Sequence, residues 1–392
     1  MSAAATVPPF AAPATGSCDI LFIAGEHSGD QQAARLIEAV RVQRPELAIC
    51  AIGGERMREA GAQQLFDLTK FSVVGIVEVL KHLSVFRALL ANTQDWIAAN
   101  RPKVVCLVDY PGFNLRLAAS LYKAGISRKA GGQTALCYYI GPQIWAWKKG
   151  RRFEMEKLLD SLAVIFPFET ACYADTQLDV RFTGHPFAAA GYESKLSYDA
   201  EAPVILLPGS REQPVSRIFP AMLAGFGEYL RARPGEKALV LYPDAKIEAV
   251  LRRILAKHPE FSGSVELRPA SEKSAAKACL ISSGTMSLSC ALAGIPGAIC
   301  YRAHPLTYRL GKLLVKIPHL GIANILMPEN PPYPEYLQGA AQPGVLAREL
   351  ADAAGNPARA RASREAADRL RAILSSDPAH DPVQWLLSAP GL

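Results

Sequence analysis

Short apolar runs rich in β-branched residues alternate with longer helical patterns along most of this chain. A strand that is followed by a helix and then by another strand predicts a βαβ unit, and such units build parallel sheets. The predicted fold class is therefore α/β, with two Rossmann-like, doubly wound halves. The predicted strands are 20–24, 48–52, 104–108, 135–139 and 162–166 in the first half, and 204–207, 238–242, 265–267, 279–281 and 297–300 in the second.

The chain has 392 residues, which at roughly 150 residues per domain predicts two domains. Residues 188–202 form a polar stretch without clear periodicity, and a new apolar strand follows at once. We place a linker there, between an N-terminal domain at 18–187 and a C-terminal domain at 203–345. Residues 346–392 are rich in Ala, Arg, Glu and Asp, and we expect them to form helices that pack back on the N-terminal domain.

Composition excludes several classes of protein. Half of the residues are hydrophobic and a fifth are charged, as in a globular protein rather than a disordered or collagen-like one.

The eight cysteines include no C-x-x-C pair and predict buried thiols in a reducing, cytoplasmic compartment. Residues 1–17 contain three prolines and no Lys or Arg, which predicts a disordered tail rather than a signal peptide. No apolar run approaches the length of about eighteen residues that spans a membrane.

The loop after the first strand carries polar residues at the sheet edge where parallel sheets bind ligands. It has the sequence GEHSGD at 25–30, whose glycines allow a tight turn. Ser28 and Asp30 are typical residues for capping the helix that follows. Glu26 and His27 are harder to explain by packing, so we expect them to face a cleft as catalytic candidates.

Asp109 directly follows the apolar run at 104–108, in a loop shaped by Pro111 and Gly112. A carboxylate that is held rigidly and partly removed from water can act as a general base. A helix cap is the structural alternative, but Asn114 is better placed to cap a helix that begins at Leu115. We therefore predict that Asp109 is a general base.

Two loops of the second half combine hydroxyl groups, backbone N–H groups and helix starts, which together bind anions. They contain Ser210 and Arg211 in 208–211, and Ser283, Gly284 and Thr285 in 282–285. Two such loops on one sheet predict a diphosphate site, with Arg211 holding phosphate. Neither loop is a Walker loop, the first domain has no G-x-G-x-x-G, and the chain has no D-x-D pair. ATP hydrolysis and nicotinamide chemistry are disfavoured, and we expect no metal.

A basic segment with two tryptophans follows the strand at 135–139. It contains Trp145, Trp147, Lys148, Lys149, Arg151 and Arg152. Basic residues beside exposed aromatic rings suit an anionic partner, whether a lipid surface, a phosphorylated ligand or nucleic acid. Core tryptophans next to a solvated helix face explain the segment equally well, so both interpretations stay open here.

Ten segments occur in one order and spacing along the chain: AGEHSGD (24–30), VDYPGFN (108–114), YYIGPQIWAWKKGR (138–151), PFE (167–169), GHP (184–186), LLPGSR (206–211), SSGT (282–285), YR (301–302), ANIL (323–326) and PEYLQ (334–338). Together they resemble the lipid-A-disaccharide synthase family over roughly residues 18–345. The PQIWAWK segment is the most specific of them, because it is rare elsewhere.

The resemblance implies a GT-B glycosyltransferase whose two Rossmann-like domains face each other across a cleft. Members of the family join UDP-2,3-diacylglucosamine to 2,3-diacylglucosamine 1-phosphate with inversion, which releases UDP and gives the β-1,6-linked disaccharide of lipid A. No metal or organic cofactor is implied. The resemblance also implies peripheral association with the cytoplasmic face of the inner membrane. We expect no nucleic-acid partner, and the oligomeric state stays open, with a homodimer as one alternative.

The resemblance assigns roles to single residues of this chain. Asp109 would take the proton of the acceptor hydroxyl, with Glu26 and His27 beside it. The nucleotide-binding positions would be Ser210, Arg211, Ser283, Gly284, Thr285, Ser289, Asn324, Glu335 and Gln338. The segment from Trp145 to Arg152 would contact acyl chains or the membrane surface.

Two positions depart from the family. Ser289 stands where members carry a glutamate that binds the ribose, and Pro214 stands where they carry an acidic residue. A second interpretation is therefore a weakened relative that binds sugar nucleotide or lipid without efficient turnover. A third is another GT-B enzyme, such as a UDP-GlcNAc epimerase or a muramyl glycolipid transferase. The tryptophan segment and the GEHSGD loop favour the lipid A family over this third interpretation.

Overall fold

The computed structural model describes residues 7–71, 83–189, 191–304, 318–375 and 380–392. The chain divides into two compact units, Met1–Pro186 with Leu374–Leu392, and Phe187–Ile373. Each unit contains a parallel sheet with helices packed against it. The predicted α/β fold class with two Rossmann-like units is confirmed.

The sheet of the first unit has seven parallel strands in the order β3-β2-β1-β4-β5-β6-β7. The strands are β1 Ile20–Ala24, β2 Ile49–Ile52, β3 Gln63–Phe66, β4 Val104–Val108, β5 Ala135–Tyr139, β6 Ser161–Val164 and β7 Asp179–Phe182. The helices are α1 His27–Gln43, α2 Glu55–Glu59, α3 Leu83–Asn100, α4 Pro111–Lys123 and α5 Arg151–Leu158, with 3-10 turns at Thr69–Phe71, Arg128–Ala130 and Pro167–Tyr173. The strand order changes direction between β1 and β4, and such switch points are where open α/β sheets bind ligands.

The second unit repeats this plan with a six-stranded sheet in the order β11-β10-β9-β13-β14-β15. Its strands are β8 Leu196–Tyr198, β9 Val204–Leu207, β10 Ala238–Tyr242, β11 Val265–Pro269, β12 Ser274–Ala276, β13 Cys279–Ile281, β14 Gly297–Tyr301 and β15 Glu335–Leu337. Its helices are α6 Glu212–Ala232, α7 Ala245–Leu255, α8 Thr285–Leu292, α9 Ile322–Leu326, α10 Pro343–Gly355 and α11 Pro357–Leu374, with 3-10 turns at Pro259–Phe261 and Gln338–Ala340. The switch point of this sheet lies between β9 and β13.

Both faces of the first sheet are buried. Leu21 and Ile23 of β1 pack into one apolar cluster, whereas Ile20 and Phe22 pack into the cluster on the opposite face. Successive side chains of a strand point to opposite faces, so a strand covered on both sides needs a continuous apolar sequence. This requirement explains why β1 is apolar at every position.

The prediction of a disordered tail at residues 1–17 is wrong from residue 7 onward, and residues 1–6 lie outside the described part. The indole nitrogen of Trp96 donates to the carbonyl oxygen of Ala11 at 2.8 Å. The side chain of Gln63 accepts from Ala14 N at 2.7 Å and donates to Ala12 O at 2.9 Å. The tail is thus tied to the first unit by side chains far along the chain, which its own sequence does not reveal.

The predicted linker at 188–202 is partly a strand. Within it, β8 pairs in parallel with β12 and forms a small two-stranded sheet of the second unit. Three residues are too few for a clear apolar pattern, so sequence periodicity missed this strand.

The expectation that residues 346–392 pack on the N-terminal domain is correct only for the final helix. Helix α10 packs against α6 within the second unit, and the Arg371 side chain of α11 donates to Leu292 O in that unit. Pro357 separates α10 from α11, because the residue before a proline avoids helical backbone angles. The final helix, α12 Pro382–Leu387, belongs to the first unit, where Trp385 packs 6.1 Å from the Tyr139 ring.

No helix within the described residues is long and apolar enough to cross a bilayer. The eight cysteines are all free thiols, and seven of them are buried. The prediction of buried thiols is thus confirmed for every cysteine but Cys172, which is half-buried.

Candidate functional site

Asp109 lies at the switch point of the first sheet. Val108, the last residue of β4, pairs with Ala24, the last residue of β1, so the loops after these two strands are neighbours. The backbone N–H of Asp109 donates to Tyr139 O on β5 at 3.0 Å. The residue is half-buried, and a Cβ atom on Gly29 would lie 3.8 Å from the Asp109 Cβ. The GEHSGD loop after β1 and the loop after β4 that carries Asp109 therefore meet.

The chain turns from β4 into α4 through two left-handed residues. The φ angles of Asp109 and Tyr110 are +46° and +50°, in a region that residues other than glycine rarely adopt. Helix α4 begins at Pro111, because the fixed φ of proline suits the first helical position. The prediction of a helix starting at Leu115 and capped by Asn114 is therefore wrong. Asn114 is buried in the first turn, where its side-chain nitrogen donates to Val108 O and Asp109 O at 3.2 and 2.6 Å.

The environment of Asp109 makes its carboxyl group more basic than usual. Burial and the nearby negative charge of Glu26 raise the pKa of Asp109 to about 6. A carboxylate with this pKa is ionised at neutral pH yet accepts a proton more readily than an ordinary aspartate. This combination suits a general base.

In the GEHSGD loop, the roles predicted for the second half of the loop differ from what the structure shows. Glu26 and His27 are exposed, and the charge of Glu26 acts on the Asp109 carboxyl group, whereas their facing a cleft stays a prediction. No side chain caps α1, which begins at His27, so the capping roles predicted for Ser28 and Asp30 are wrong. Asp30 is buried and accepts hydrogen bonds from Gly54 N at 2.8 Å and Arg56 N at 3.1 Å. It therefore caps α2, which the chain brings back against α1.

The two tryptophans of the basic segment have different surroundings. The Trp145 indole nitrogen donates to the Glu169 carboxylate at 3.0 Å, and this carboxylate also accepts from Phe166 N at 3.0 Å. Burial raises the pKa of Glu169 to about 7. The Trp145 ring packs edge-on against Phe168. Trp145 is thus anchored within the first unit, and its predicted contact with lipid is not supported by this geometry.

The remainder of the segment presents an exposed aromatic and basic surface. Trp147 is 51% exposed, with the Lys148 ammonium 4.4 Å from its ring centre. Phe153 is 50% exposed, although no role is predicted for it from the sequence. Lys149 is exposed and Arg151 half-exposed, whereas Arg152 is engaged by Asp175 through two hydrogen bonds of 2.6 Å. We call Trp147, Lys148, Lys149, Arg151 and Phe153 the exposed basic patch. Its position in the basic segment RRFEM at 151–155 is the sequence signal that identifies Phe153 as a candidate.

The two predicted anion loops of the second unit meet at its switch point. Leu207 at the end of β9 pairs with Ile281 at the end of β13, and a Cβ atom on Gly209 would lie 3.2 Å from Ser282 Oγ. Arg211 stands at the start of α6, and Gly284 stands at the start of α8 with φ +146°. Ser210, Arg211, Gly284 and Thr285 are exposed, and Ser283 is half-buried. Two helix N-termini with free N–H groups and a guanidinium group can hold a diphosphate here.

The two positions that depart from the family both lie in these helices. Ser289 is buried in the middle of α8, and its backbone oxygen accepts from Ala293 N at 3.0 Å. Pro214 lies in the first turn of α6, where its missing N–H group is not needed by the helix. The contact of Ser289 with a ribose stays a prediction.

Three of the predicted nucleotide ligands bind backbone groups of the second unit. Asn324 is fully buried, and its side chain donates to Tyr333 O and Glu335 Oε1 at 2.7 and 2.8 Å. Glu335 accepts from Leu320 N at 2.9 Å and so holds the residues before α9. The Gln338 amide group pairs with both backbone groups of Ala303 at 2.9 and 3.1 Å. These three side chains support loops of the second unit, and their contact with a nucleotide stays a prediction.

Within the described ranges, no group of three His, Cys, Asp or Glu side chains is arranged to hold a metal ion.

A family model described as Lipid-A-disaccharide synthetase matches residues 20–378. A protein named Lipid-A-disaccharide synthase from Geobacter sulfurreducens is 34% identical over 355 residues, which cover 88% of this chain and 90% of that protein. The protein of the same name from Coxiella burnetii (strain Dugway 5J108-111) is 33% identical over 343 residues, which cover 84% of this chain and 87% of that protein.

Solved structures of glycosyltransferases share the fold at low sequence identity. The glycotransferase of kitacinnamycin is similar with a TM-score of 0.57 and 12% identity, over 94% of this chain and 99% of that one. The calicheamicin glycosyltransferase is similar with a TM-score of 0.54 and 14% identity, over 96% of this chain and 100% of that one.

Proposed function

The chain belongs to the lipid-A-disaccharide synthetase family, and we propose that Asp109 is the general base of its glycosyl transfer. The chain is a glycosyltransferase of lipid A biosynthesis. The observation that carries the proposed role of Asp109 is its position at the switch point, half-buried beside Glu26 with a raised pKa. The named relatives do not favour the alternative of a relative without turnover.

The proposed reaction is a single displacement with inversion. Asp109 takes the proton of the acceptor hydroxyl of 2,3-diacylglucosamine 1-phosphate as that oxygen attacks the anomeric carbon of UDP-2,3-diacylglucosamine. The new C–O bond forms as the bond from the anomeric carbon to the diphosphate breaks, and the electron pair leaves with UDP. Glu26 supports this step by raising the basicity of Asp109, and we propose that His27, which is exposed, contacts the acceptor.

Product formation tests this function directly. The purified protein is incubated with UDP-2,3-diacylglucosamine and 2,3-diacylglucosamine 1-phosphate, and the products are identified by mass spectrometry. The proposal requires the disaccharide 1-phosphate and UDP in equal amounts, and neither product when the acceptor is omitted. Release of UDP without disaccharide would contradict glycosyl transfer to this acceptor.

We propose that the diphosphate of the donor binds the two loops at the switch point of the second unit. Ser210, Ser283, Gly284 and Thr285 offer hydroxyl and N–H donors there, and Arg211 supplies a positive charge that stabilises the leaving group. A charge-assisted hydrogen bond contributes about 1.5–3 kcal/mol. Loss of one such bond corresponds to a roughly ten- to hundredfold change in dissociation constant.

The Arg211→Ala variant is therefore expected to bind UDP at least about tenfold more weakly in calorimetry. Arg217→Ala is the matched control, because Arg217 is exposed on the same helix but nearly two turns further along. The control should change UDP affinity less than about twofold, since a charge in water at that distance is screened. Equal losses in both variants would mean that Arg211 acts only through the general charge of the helix.

We propose that the exposed basic patch binds the membrane surface that carries the lipid substrates. Amphipathic rings and cationic side chains together favour the interface of an anionic bilayer, where each nearby Lys or Arg contributes about 1 kcal/mol. In this patch, Trp147 and Phe153 supply the rings, and Lys148, Lys149 and Arg151 supply the charge.

The double variant Trp147→Ala/Phe153→Ala is expected to bind phosphatidylglycerol vesicles roughly tenfold more weakly than the unaltered protein. Sedimentation with vesicles measures this binding. Val42→Ala is the control, because Val42 is 84% exposed on α1 but lies outside the patch. Vesicle binding that is unchanged in the double variant would place the membrane contact elsewhere on the chain.

A further inference from the structure

Two buried side chains converge on one atom of the proposed base, the backbone carbonyl oxygen of Asp109. The hydroxyl group of Tyr138 donates to this oxygen at 2.6 Å, and the side-chain nitrogen of Asn114 donates to it at 2.6 Å. Both donors have no exposed surface. Neither bond belongs to a helix or a sheet, so each must serve the local shape of the chain.

That local shape is the left-handed turn at Asp109 and Tyr110, with φ angles of +46° and +50°. The left-handed region is unfavourable for both residues because the Cβ atom approaches the backbone, and such conformations persist only where the surroundings enforce them. The strand must end at Val108 and the helix must begin at Pro111, so these two residues make the whole turn.

The elements around the turn hold Asp109 from several sides. On β5, Tyr139 O accepts from the N–H group of Asp109 at 3.0 Å, while Tyr138 donates to its carbonyl oxygen. On α4, Asn114 also donates to Val108 O at 3.2 Å, so one amide group joins the last residue of the strand to the first residue of the turn. The direction of the Cα–Cβ bond of Asp109, from which its carboxylate extends, follows from these backbone contacts.

We propose that Tyr138 and Asn114 are positioning residues that lock Asp109 in the left-handed turn and so aim its carboxylate at the acceptor hydroxyl. This inference rests on the proposed role of Asp109 as the base. Neither side chain touches the substrate, because both are fully buried beneath the turn. Their effect is on the rate of the chemical step, which depends on alignment of the base within less than about 1 Å.

The test compares Tyr138→Phe and Asn114→Leu with two controls of the same chemistry. Tyr173→Phe removes another buried hydroxyl group of the first unit, whose contact is the Met155 sulfur at 3.7 Å. Asn100→Leu removes an amide group that donates to Trp96 O at 2.8 Å. Rate measurements over a range of pH give kcat, KM and the acidic limb of kcat/KM for each protein, and circular dichroism checks that each is folded.

We expect kcat to fall roughly tenfold in each of the two variants while KM changes less than about twofold, because alignment is lost and substrate contacts are kept. The acidic limb of kcat/KM, expected near pH 6, should move to lower pH as the carboxylate gains access to water. The other titratable groups that interact with this carboxylate are Glu26 and Tyr138, and Tyr138→Phe leaves Glu26 in place. The controls should leave both kcat and the acidic limb unchanged.

Two results would overturn the inference. If kcat and the acidic limb are unchanged in Tyr138→Phe and Asn114→Leu, while Asp109→Asn is inactive, then Asp109 is the base and needs no such support. If the controls lose as much activity as the two variants, then the losses come from general damage to the unit. An active Asp109→Asn protein would instead contradict the proposed base itself, so the two failures are distinct.

Discussion

The Asp109→Asn variant is expected to lose two or more orders of magnitude in kcat and yet to unfold at a higher temperature than the unaltered protein at pH 8. The rate falls because an amide group cannot take the acceptor proton. The fold survives because asparagine is among the residues that adopt positive φ most readily, so the turn at +46° is kept. UDP binding in the second unit should be nearly unchanged.

The gain in stability follows from the raised pKa of Asp109. Its pKa rises from 3.8 in the unfolded chain to about 6 in the folded protein, so folding favours the protonated form. The stabilisation of the fold by the protonated Asp109 carboxyl group is complete below pH 3.8. It is lost as the pH rises through about 6. At pH 8 the ionised carboxylate destabilises the fold relative to a neutral amide by on the order of 1–2 kcal/mol, after allowance for its partial exposure to water.

Thermal unfolding at pH 8 and at pH 4 separates the effect of the Asp109 charge on stability from other effects of the substitution. The two proteins should differ at pH 8, and the difference should shrink at pH 4, where the folded wild-type carboxyl group is already protonated. Glu55→Gln is a suitable control, because Glu55 is an exposed carboxylate of the same unit. A variant that keeps full activity would show that Asp109 serves only the turn. Loss of both activity and stability would show that the carboxylate is structural.

The central strands could be predicted from sequence because burial on both faces leaves a continuous apolar run. β1, β4 and β5 begin and end where the apolar runs begin and end. The edge strands β3 and β7 were missed, because their half-exposed positions carry Gln, Asp and Arg. Their pairing depends on the neighbouring strand, which a local pattern does not contain.

The site was predictable to the extent that topology determines it. A polar residue in the loop after a central parallel strand must lie at the ligand-binding edge, and this rule predicts the positions of Asp109, Arg211 and Thr285. The left-handed turn was not predictable, because neither Asp109 nor Tyr110 is a glycine.

The backbone contacts of two predicted ligands of the second unit were not predictable for a related reason. Glu335 and Gln338 follow the same sequence pattern as ligand-binding residues, yet their partners are backbone groups of Leu320 and Ala303, which are remote in the sequence. Whether a polar side chain is free to bind a ligand depends on such contacts, and they exist only after folding.

The Gly25→Ala variant is expected to lose roughly two orders of magnitude in kcat, because it displaces the turn that carries the proposed base. Gly25 directly follows β1, and a Cβ atom there would lie 2.1 Å from Cδ1 and 2.5 Å from Cγ of Tyr110. These distances are too short for any contact, so the ring must move. A rotation about the Cβ–Cγ bond leaves Cγ in place, so relief requires a new χ1 rotamer of the half-buried Tyr110 or a shift of its backbone. Rate measurements alongside UDP titration should show the loss in kcat with UDP affinity kept.

Gly112→Ala provides the matched control for this variant. Gly112 lies in the same turn-to-helix segment, but a Cβ atom there would meet no atom within 4 Å. Its activity should be unchanged, and alanine should even stabilise the helix by up to about 1 kcal/mol.

The double variant Gly25→Ala/Tyr110→Ala identifies the cause of the loss. If the contact with the Tyr110 ring is responsible, the substitution at Gly25 should cost little once the ring is gone, so the two effects will not add. The double variant should then be about as active as Tyr110→Ala alone. Full additivity of the two losses would mean that Gly25 acts through something other than Tyr110, such as a close approach of the acceptor to its backbone. In that case the turn would not be the element that makes glycine necessary at position 25.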